Sequence, residues 1–209
     1  MRSKFSSLIF IPVFLLGLSR VELNQEARTG WLPLQQGQTI GQTFAGKSNN
    51  LTGVKLFTRN PNLANREPII FHLRESPTTD KDLAALTFSG ANVGWDYALR
   101  IVFPPIADSK DKNFYFFLES PTTEAGQAVE FGYNQDDNYK EGQAFVNGKV
   151  IPGDLFFVTF YKTSLGDFVV SSINNLFSRV SLDQRFFIAY FFILLVAISG
   201  FVWSKRREK

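Results

Sequence analysis

The sequence predicts an all-β protein: an antiparallel, jelly-roll-like sandwich followed by a C-terminal juxtamembrane helix and a transmembrane helix. Three observations carry this. Between Thr39 and Tyr161, apolar residues recur with period two in short runs, each closed by a turn rich in Gly, Pro or Asn. No stretch in that interval has a convincing helical period. Beyond it, residues 186–203, FFIAYFFILLVAISGFVW, hold 18 positions without a charge. As a helix this run is about 27 Å long, close to the ~30 Å hydrocarbon core of a bilayer.

Composition bounds the rest. The chain has 209 residues, 44% of them apolar, with 23 phenylalanines, enough to fill one core of ordinary size. A formal charge of +3, partly lodged in the basic tail, with no long basic helix and no RNA-binding aromatic motif, argues against a nucleic-acid partner. The absence of cysteine rules out disulfides, thiolate catalysis and cysteine-ligated metals in this chain.

At the amino end, 1–20 reads as a signal peptide or a signal anchor. Arg2 and Lys4 form a basic start, and Leu8–Leu18 forms an apolar run too short for an ordinary span. Both readings put the following chain outside. Residues 21–38 are weakly patterned, and Trp31, Leu32 and Leu34 lead toward the first strand.

Residues 39–163 form the expected extracytoplasmic sandwich. Its predicted strands begin with Thr39–Phe44 and Leu51–Arg59, the latter closed by Asn60-Pro61-Asn62. In Pro68–Glu75, Ile69, Phe71 and Leu73 share one face, as a half-buried strand requires. Leu83–Ser89 and Asp96–Phe103 follow, the second ended by Pro104-Pro105. Phe114–Glu119 is aromatic on both faces and reads as a central strand, and Ala128–Tyr133 alternates. Asn147-Gly148, between Gln143–Asn147 and Val150–Ile151, is a strong hairpin signal. Leu155–Tyr161 closes the set. The pentapeptide Glu-Ser-Pro-Thr-Thr occurs twice, at 75–79 and 119–123, each time after an apolar strand. It reads either as shared turn chemistry or as two turns lining one ligand rim.

Several segments carry a resemblance: GQTF (41–44), LTGVKLF (51–57), FHLRESP (71–77), FYFFLESP (114–121), YKEGQAFVNG (139–148) and PGDLFF (152–157). This pattern resembles an uncharacterised bacterial envelope-protein domain, sometimes appended to glycosyltransferase-type membrane proteins and similar in outline to jelly-roll carbohydrate-binding modules. The resemblance implies the fold and a bacterial cell envelope, and carries no binding residue over.

Residues 164–185 place Phe168, Val169, Ile173, Leu176, Phe177 and Val180 at helical spacing, the pattern of an amphipathic juxtamembrane helix. The span 186–203 follows, and then the tail 204–209 with Lys205, Arg206, Arg207 and Lys209. Basic residues beside a span favour the cytoplasmic side, so the tail is expected inside and the β domain outside the cytoplasm.

Little points to chemistry. His72 is the only histidine, and no G-x-S-x-G or phosphate-binding G-x-x-x-x-G-K occurs. Glu75, Glu119, Glu130, Asp136, Asp137 and Glu141 offer carboxylates for a glycosidase pair, but sequence brings no two together. The polar loop 134–141 (NQDDNYKE) has oxygens suited to Ca²⁺ in Asn134, Asp136 and Asp137, without the EF-hand pattern. With Trp95, Tyr133 and Tyr139, Asp136 and Asp137 compose a candidate sugar site, since rings stack on sugar faces while polar groups bond hydroxyls. The sequence therefore reads as a membrane-anchored, non-enzymatic binding protein for glycan or envelope polysaccharide. The alternative is an accessory or structural subunit of a membrane-protein complex, docked through the sandwich and the amphipathic helix.

The cysteine-free chain allows a direct test of sidedness. Lys149→Cys should react with a membrane-impermeant maleimide on intact cells, and Lys209→Cys should not. The opposite labelling pattern would reverse the orientation.

Overall fold

A computed structural model of the chain describes residues 19–25, 28–95, 97–124 and 126–163, with isolated positions beyond them. In chain order the strands are β1 (Ser19–Gln25), β2 (Gly30–Leu34), β3 (Thr39–Ala45), β4 (Leu51–Arg59), β5 (Pro68–Arg74), β6 (Ala84–Ser89) and β7 (Tyr97–Ile106). They continue as β8 (Asn113–Glu119), β9 (Val129–Asn134), β10 (Ala144–Val146), β11 (Lys149–Ile151), β12 (Asp154–Leu155) and β13 (Phe157–Lys162).

These strands form two antiparallel sheets, the all-β sandwich that the alternating pattern predicts. The six-stranded sheet runs β11-β10-β3-β8-β5-β6. The seven-stranded sheet runs β1-β13-β4-β9-β12, with β2 on β9 and β7 on β4. Residues 21–38, expected only to lead in, contribute β1 and β2. Ser19 and Arg20, placed by sequence at the end of the leader, pair with Lys162 and Tyr161. Among the described residues β1 pairs with β13 and β2 with β9.

Two further boundaries depart from expectation for physical reasons. Pro104-Pro105 does not end β7, which runs on to Ile106. Among the described residues β7 pairs with β4 alone, and the register shifts between Leu51 and Gly53 opposite the prolines. An edge position at an irregularity needs no ladder N–H, so proline is tolerated there. The run Leu155–Tyr161 is likewise divided. Asp154 and Leu155 pair with β9, Phe156 donates its N–H to the Gly132 carbonyl at 2.8 Å, and β13 then pairs with β4. The Asn147-Gly148 hairpin forms as expected, with φ of 52° and 70° at the two turn residues, the sign a type I′ turn requires.

The core is an aromatic web between the sheets. Phe44, Phe71 and Phe116 project from the six-stranded sheet, and Phe103 and Phe157 from the seven-stranded one. Phe157 lies 5.8 Å from Phe44 and 5.7 Å from Phe116, centroid to centroid, while Phe71 and Phe103 stack at 6.3 Å. Tyr139 meets Phe157 edge-on at 5.3 Å and 89°. Such pairs add about 0.5–1.5 kcal/mol beyond the area they bury. β8 is buried at five successive positions, 114–118, because its second face carries Tyr115 and Phe117 in a smaller cluster with Phe145.

The described residues from 166 onward belong to a separate unit. In it 166, 170, 173, 174, 188, 189, 191–196 and 199 are helical. Among the described residues no helix is long and apolar enough to cross a membrane. The expected leader up to residue 18, the basic tail, and much of 164–185 and 186–203 lie outside the described residues.

Phe157→Ala should lower the stability of the sandwich by about 3–5 kcal/mol, because the rings of Phe44, Phe116 and Tyr139 packed against it cannot collapse into the space it leaves. Urea denaturation followed by tryptophan fluorescence measures this. A loss under 1 kcal/mol would show that the web is not the stabilising core.

Candidate functional site

A groove of about 920 Å³ opens at the end of the six-stranded sheet where β3 finishes and β8 begins. Thr43 on β3 and Asn113 on β8 line its floor. Strand order sets the sides. Val150 and Ile151 of β11 bound it on the β10 flank, and Glu75, Ser76 and Pro77, just past β5, on the other. The loop after β9 supplies Gln135, Asp137, Lys140, Glu141 and Gln143.

Asp154 holds that loop in place. Its side chain is fully buried. One carboxylate oxygen accepts from Gln42 Nε2 at 3.1 Å, and the other from the Tyr139 backbone N–H at 2.9 Å. Gln42 faces the core and uses its own oxygen to accept from the Leu155 N–H at 2.9 Å. Burial pushes the Asp154 carboxyl above the usual carboxylate range, against the opposing hydrogen bonds from Tyr139 and Gln42. Gly153 precedes it with φ of 84°, and a Cβ there would lie 2.1 Å from the Asn134 carbonyl oxygen. Only glycine lets the chain turn under the loop at this point.

The groove mixes bound and unbound polar groups. Lys140 pairs with Asp137 at 2.9 Å, and Lys47 forms an ion pair with Glu141. That hydrogen bond raises the Lys47 ammonium above its ordinary range. The Tyr139 hydroxyl donates to the same Glu141 carboxylate at 3.4 Å. Among the described residues, the side chains of Glu75, Asn113, Gln135 and Gln143 hold no hydrogen bond or ion pair. They are therefore available to hydroxyls, amines or amides of a ligand.

Beside the groove, the outer face of the six-stranded sheet is aromatic but closed. Tyr115, Phe117 and Phe145 are buried against one another, and burial pushes the Tyr115 hydroxyl up to about 12. His72 stacks flat on Phe117 at 4.4 Å and 6°. Its Nδ1 lies 2.7 Å from an Asp82 oxygen, and Arg74 Nε donates to the other oxygen at 2.6 Å. Burial works to raise the Asp82 carboxyl, but the bonds from Arg74 and His72 outweigh it and hold it below the ordinary value. The single histidine is thus engaged in a sheet-face cluster.

The residues singled out from sequence separate. Tyr133 and Tyr139 are core residues. The Tyr133 hydroxyl donates to the Pro152 carbonyl, and the Tyr139 hydroxyl accepts from the Ala45 N–H at 3.1 Å. Neither ring is a stacking platform, because the strand and loop that carry them turn those faces inward. Trp95 is 60% exposed but lies at the other end of the domain, next to Gly94, whose carbonyl accepts from Asn60 at the exit of β4. Asp137 lines the groove, whereas Asp136 is exposed and is not among its lining residues. The Asn134 carboxamide, grouped with Asp136 and Asp137 as a calcium set, is buried and accepts from the Asp136 N–H at 3.2 Å. Among the described residues, no group of three or more His, Asp or Glu is placed to hold a metal.

The repeated pentapeptide also resolves. β5 and β8 are antiparallel neighbours, with Arg74 opposite Tyr115 and Ile70 opposite Glu119. The turns that follow them therefore lie at opposite ends of the sheet, and one shared rim is impossible. Glu75 and Ser76 of the first copy line the groove. In the second, Thr123 is buried and accepts from Asn65 Nδ2 at 3.2 Å, within a structural asparagine network. Thr43, Asn113 and Val150 carried no sequence signal, because only strand pairing assembles them.

No protein-family model matches this chain, and no curated protein matches it. Solved structures that share its fold include two of one clostridial protein. One is a clostridial cysteine protease, Cwp84, after propeptide cleavage, at TM-score 0.50 and 13% identity, with 70% of this chain and 40% of that chain covered. The other comprises the cysteine protease and lectin-like domains of Cwp84, a surface layer associated protein of Clostridium difficile. It matches at TM-score 0.51 and 13% identity, over 70% of this chain and 36% of that one. The chain thus corresponds to well under half the length of those proteins, and at this identity the likeness is one of fold.

Asp154→Asn turns one accepting oxygen into a donor facing either Gln42 or the Tyr139 N–H, and should cost about 1–3 kcal/mol at neutral pH. Because burial raises the folded pKa, the folded state binds more protons than the unfolded chain between about 3.9 and that raised value. Stability from Asp154 is therefore greatest below this window and falls as pH rises through it. The wild-type advantage over Asp154→Asn should shrink with rising pH and then level. Denaturation midpoints taken across that range test this, and an advantage that grows with pH would overturn it.

Proposed function

We propose that the chain is a membrane-anchored, non-enzymatic protein whose β-sandwich binds glycan or cell-envelope polysaccharide in the groove beside the 134–143 loop. The observation that carries this reading is the groove itself. It is of ligand-binding size, and it presents three amides and a carboxylate with no partner among the described residues, next to apolar Val150, Pro77 and Pro152. Sugars present hydroxyls around apolar ring faces, and this lining is complementary to both.

Strand order supports a jelly roll. Taking β2–β9 as first to eighth, one sheet pairs first, eighth, third and sixth, and the other second, seventh, fourth and fifth. That is the arrangement of two facing Greek keys, an architecture that includes lectin domains. Of the two domain types named in Cwp84, the lectin-like one is the relevant comparison, because this chain has no cysteine to act as a protease nucleophile. The non-enzymatic reading draws support from the lysine partners of Asp137 and Glu141, which occupy two of the three groove carboxylates that a hydrolase pair would use. The uncharged run 186–203 with its basic tail supports display outside the cytoplasm, and the apolar leader agrees with it.

Isothermal titration of the full chain in detergent against a panel of soluble saccharides tests the reading. Asn113→Ala and Gln143→Ala should each weaken a bound saccharide about three- to tenfold while leaving the denaturation midpoint unchanged. Absence of binding to every saccharide, or unaltered binding in both variants, would overturn it.

A further inference from the structure

The balance of charge in the groove identifies a ligand class. Three carboxylates line it, Glu75, Asp137 and Glu141, against the single ammonium of Lys140. Two of the three are already neutralised. Asp137 has Lys140 at 2.9 Å, and Glu141 has Lys47 together with the Tyr139 hydroxyl. Glu75 has neither a cation nor a hydrogen-bond donor among the described residues. It is exposed at the groove, whose other unbound side chains, Asn113, Gln135 and Gln143, are exposed amides that supply carbonyl acceptors as well as N–H donors.

Resting on the glycan reading above, we propose that the groove selects a cationic amino sugar, a hexosamine with a free, protonated amine, and that Glu75 is its counter-ion. An ammonium carries three donors and no acceptor. One carboxylate and neighbouring amide oxygens satisfy it, whereas a divalent cation demands six or more oxygens held together. Among the described residues no group of acids or histidine is placed to hold such a metal. N-acetylation would remove the charge and leave Glu75 facing an amide. A polyanionic glycan would meet an uncompensated carboxylate, and like-charge juxtaposition disfavours it.

The test compares a glucosamine hexamer with an N-acetylglucosamine hexamer. Both are titrated into the full chain in detergent at about pH 5.5, where a hexosamine amine carries its proton. The wild type should prefer the glucosamine hexamer by about tenfold, a preference that declines as salt screens it. Glu75→Gln should abolish the preference, so that the ratio of the two hexamer affinities falls to about one. Equal binding of the two hexamers by the wild type, or a preference that survives Glu75→Gln, would overturn the amino-sugar proposal while leaving saccharide binding in place. Absence of binding to any saccharide would instead remove the glycan reading, and this proposal with it.

Discussion

One buried polar contact organises the sandwich and its groove: the clamp between Gln42 and Asp154. Gln42 lies on the inner face of β3, in the six-stranded sheet, and Asp154 begins β12 in the other. The amide donates to the carboxylate and accepts from the next backbone N–H, so both ends of the glutamine are used across the gap between sheets. The free carboxylate oxygen then takes the Tyr139 N–H. Away from water, every unmade bond in such a network costs the full desolvation of the abandoned group. The arrangement is therefore close to all-or-none, and the loop that edges the groove inherits its position from it.

The aromatic web does a different job. Phe44, Phe71, Phe103, Phe116 and Phe157 supply the non-directional attraction that brings two sheets together. Rings can slide, and apolar packing alone specifies register weakly. The clamp is directional. It fixes where the last long run divides into β12 and β13 around Phe156, so that one half pairs with β9 and the other with β4. Gly153, at positive φ and pressed against the Asn134 carbonyl, is the backbone condition for that division.

Charge in the groove follows from the same geometry. The loop that Asp154 secures brings Asp137, Lys140 and Glu141 to the groove, and Asp137 and Lys140 neutralise each other. Lys47, in the loop after β3, answers the third. Glu75 enters from across the sheet, past β5, where no partner reaches it among the described residues. The outer face of the same sheet contains more aromatic area, but Tyr115, Phe117 and Phe145 spend it on one another. An end groove, rather than a flat aromatic face, is thus the surface on which polar ligand chemistry is open.

Sequence alone determined the all-β class and most of the strands, because period-two burial and turn chemistry are local, but not β1, β2 or the order of strands within each sheet. Leu51–Arg59, the both-faced Phe114–Glu119 and the Asn147-Gly148 hairpin are all legible without coordinates. Proline misled only at Pro104-Pro105, since edge status depends on which strand lies alongside. The site was legible in part. The polar loop pointed to Asp137, and the pentapeptide pointed to Glu75, but for the wrong reason. Tyr133 and Tyr139 looked like platforms because a ring beside a polar loop reads the same whether it turns inward or outward. Tertiary structure decided that direction, set the two pentapeptides at opposite ends through antiparallel pairing, and brought Thr43, Asn113 and Glu75 around one groove. Those residues are far apart in the chain, and only strand register, a long-range hydrogen-bonding property, makes them neighbours.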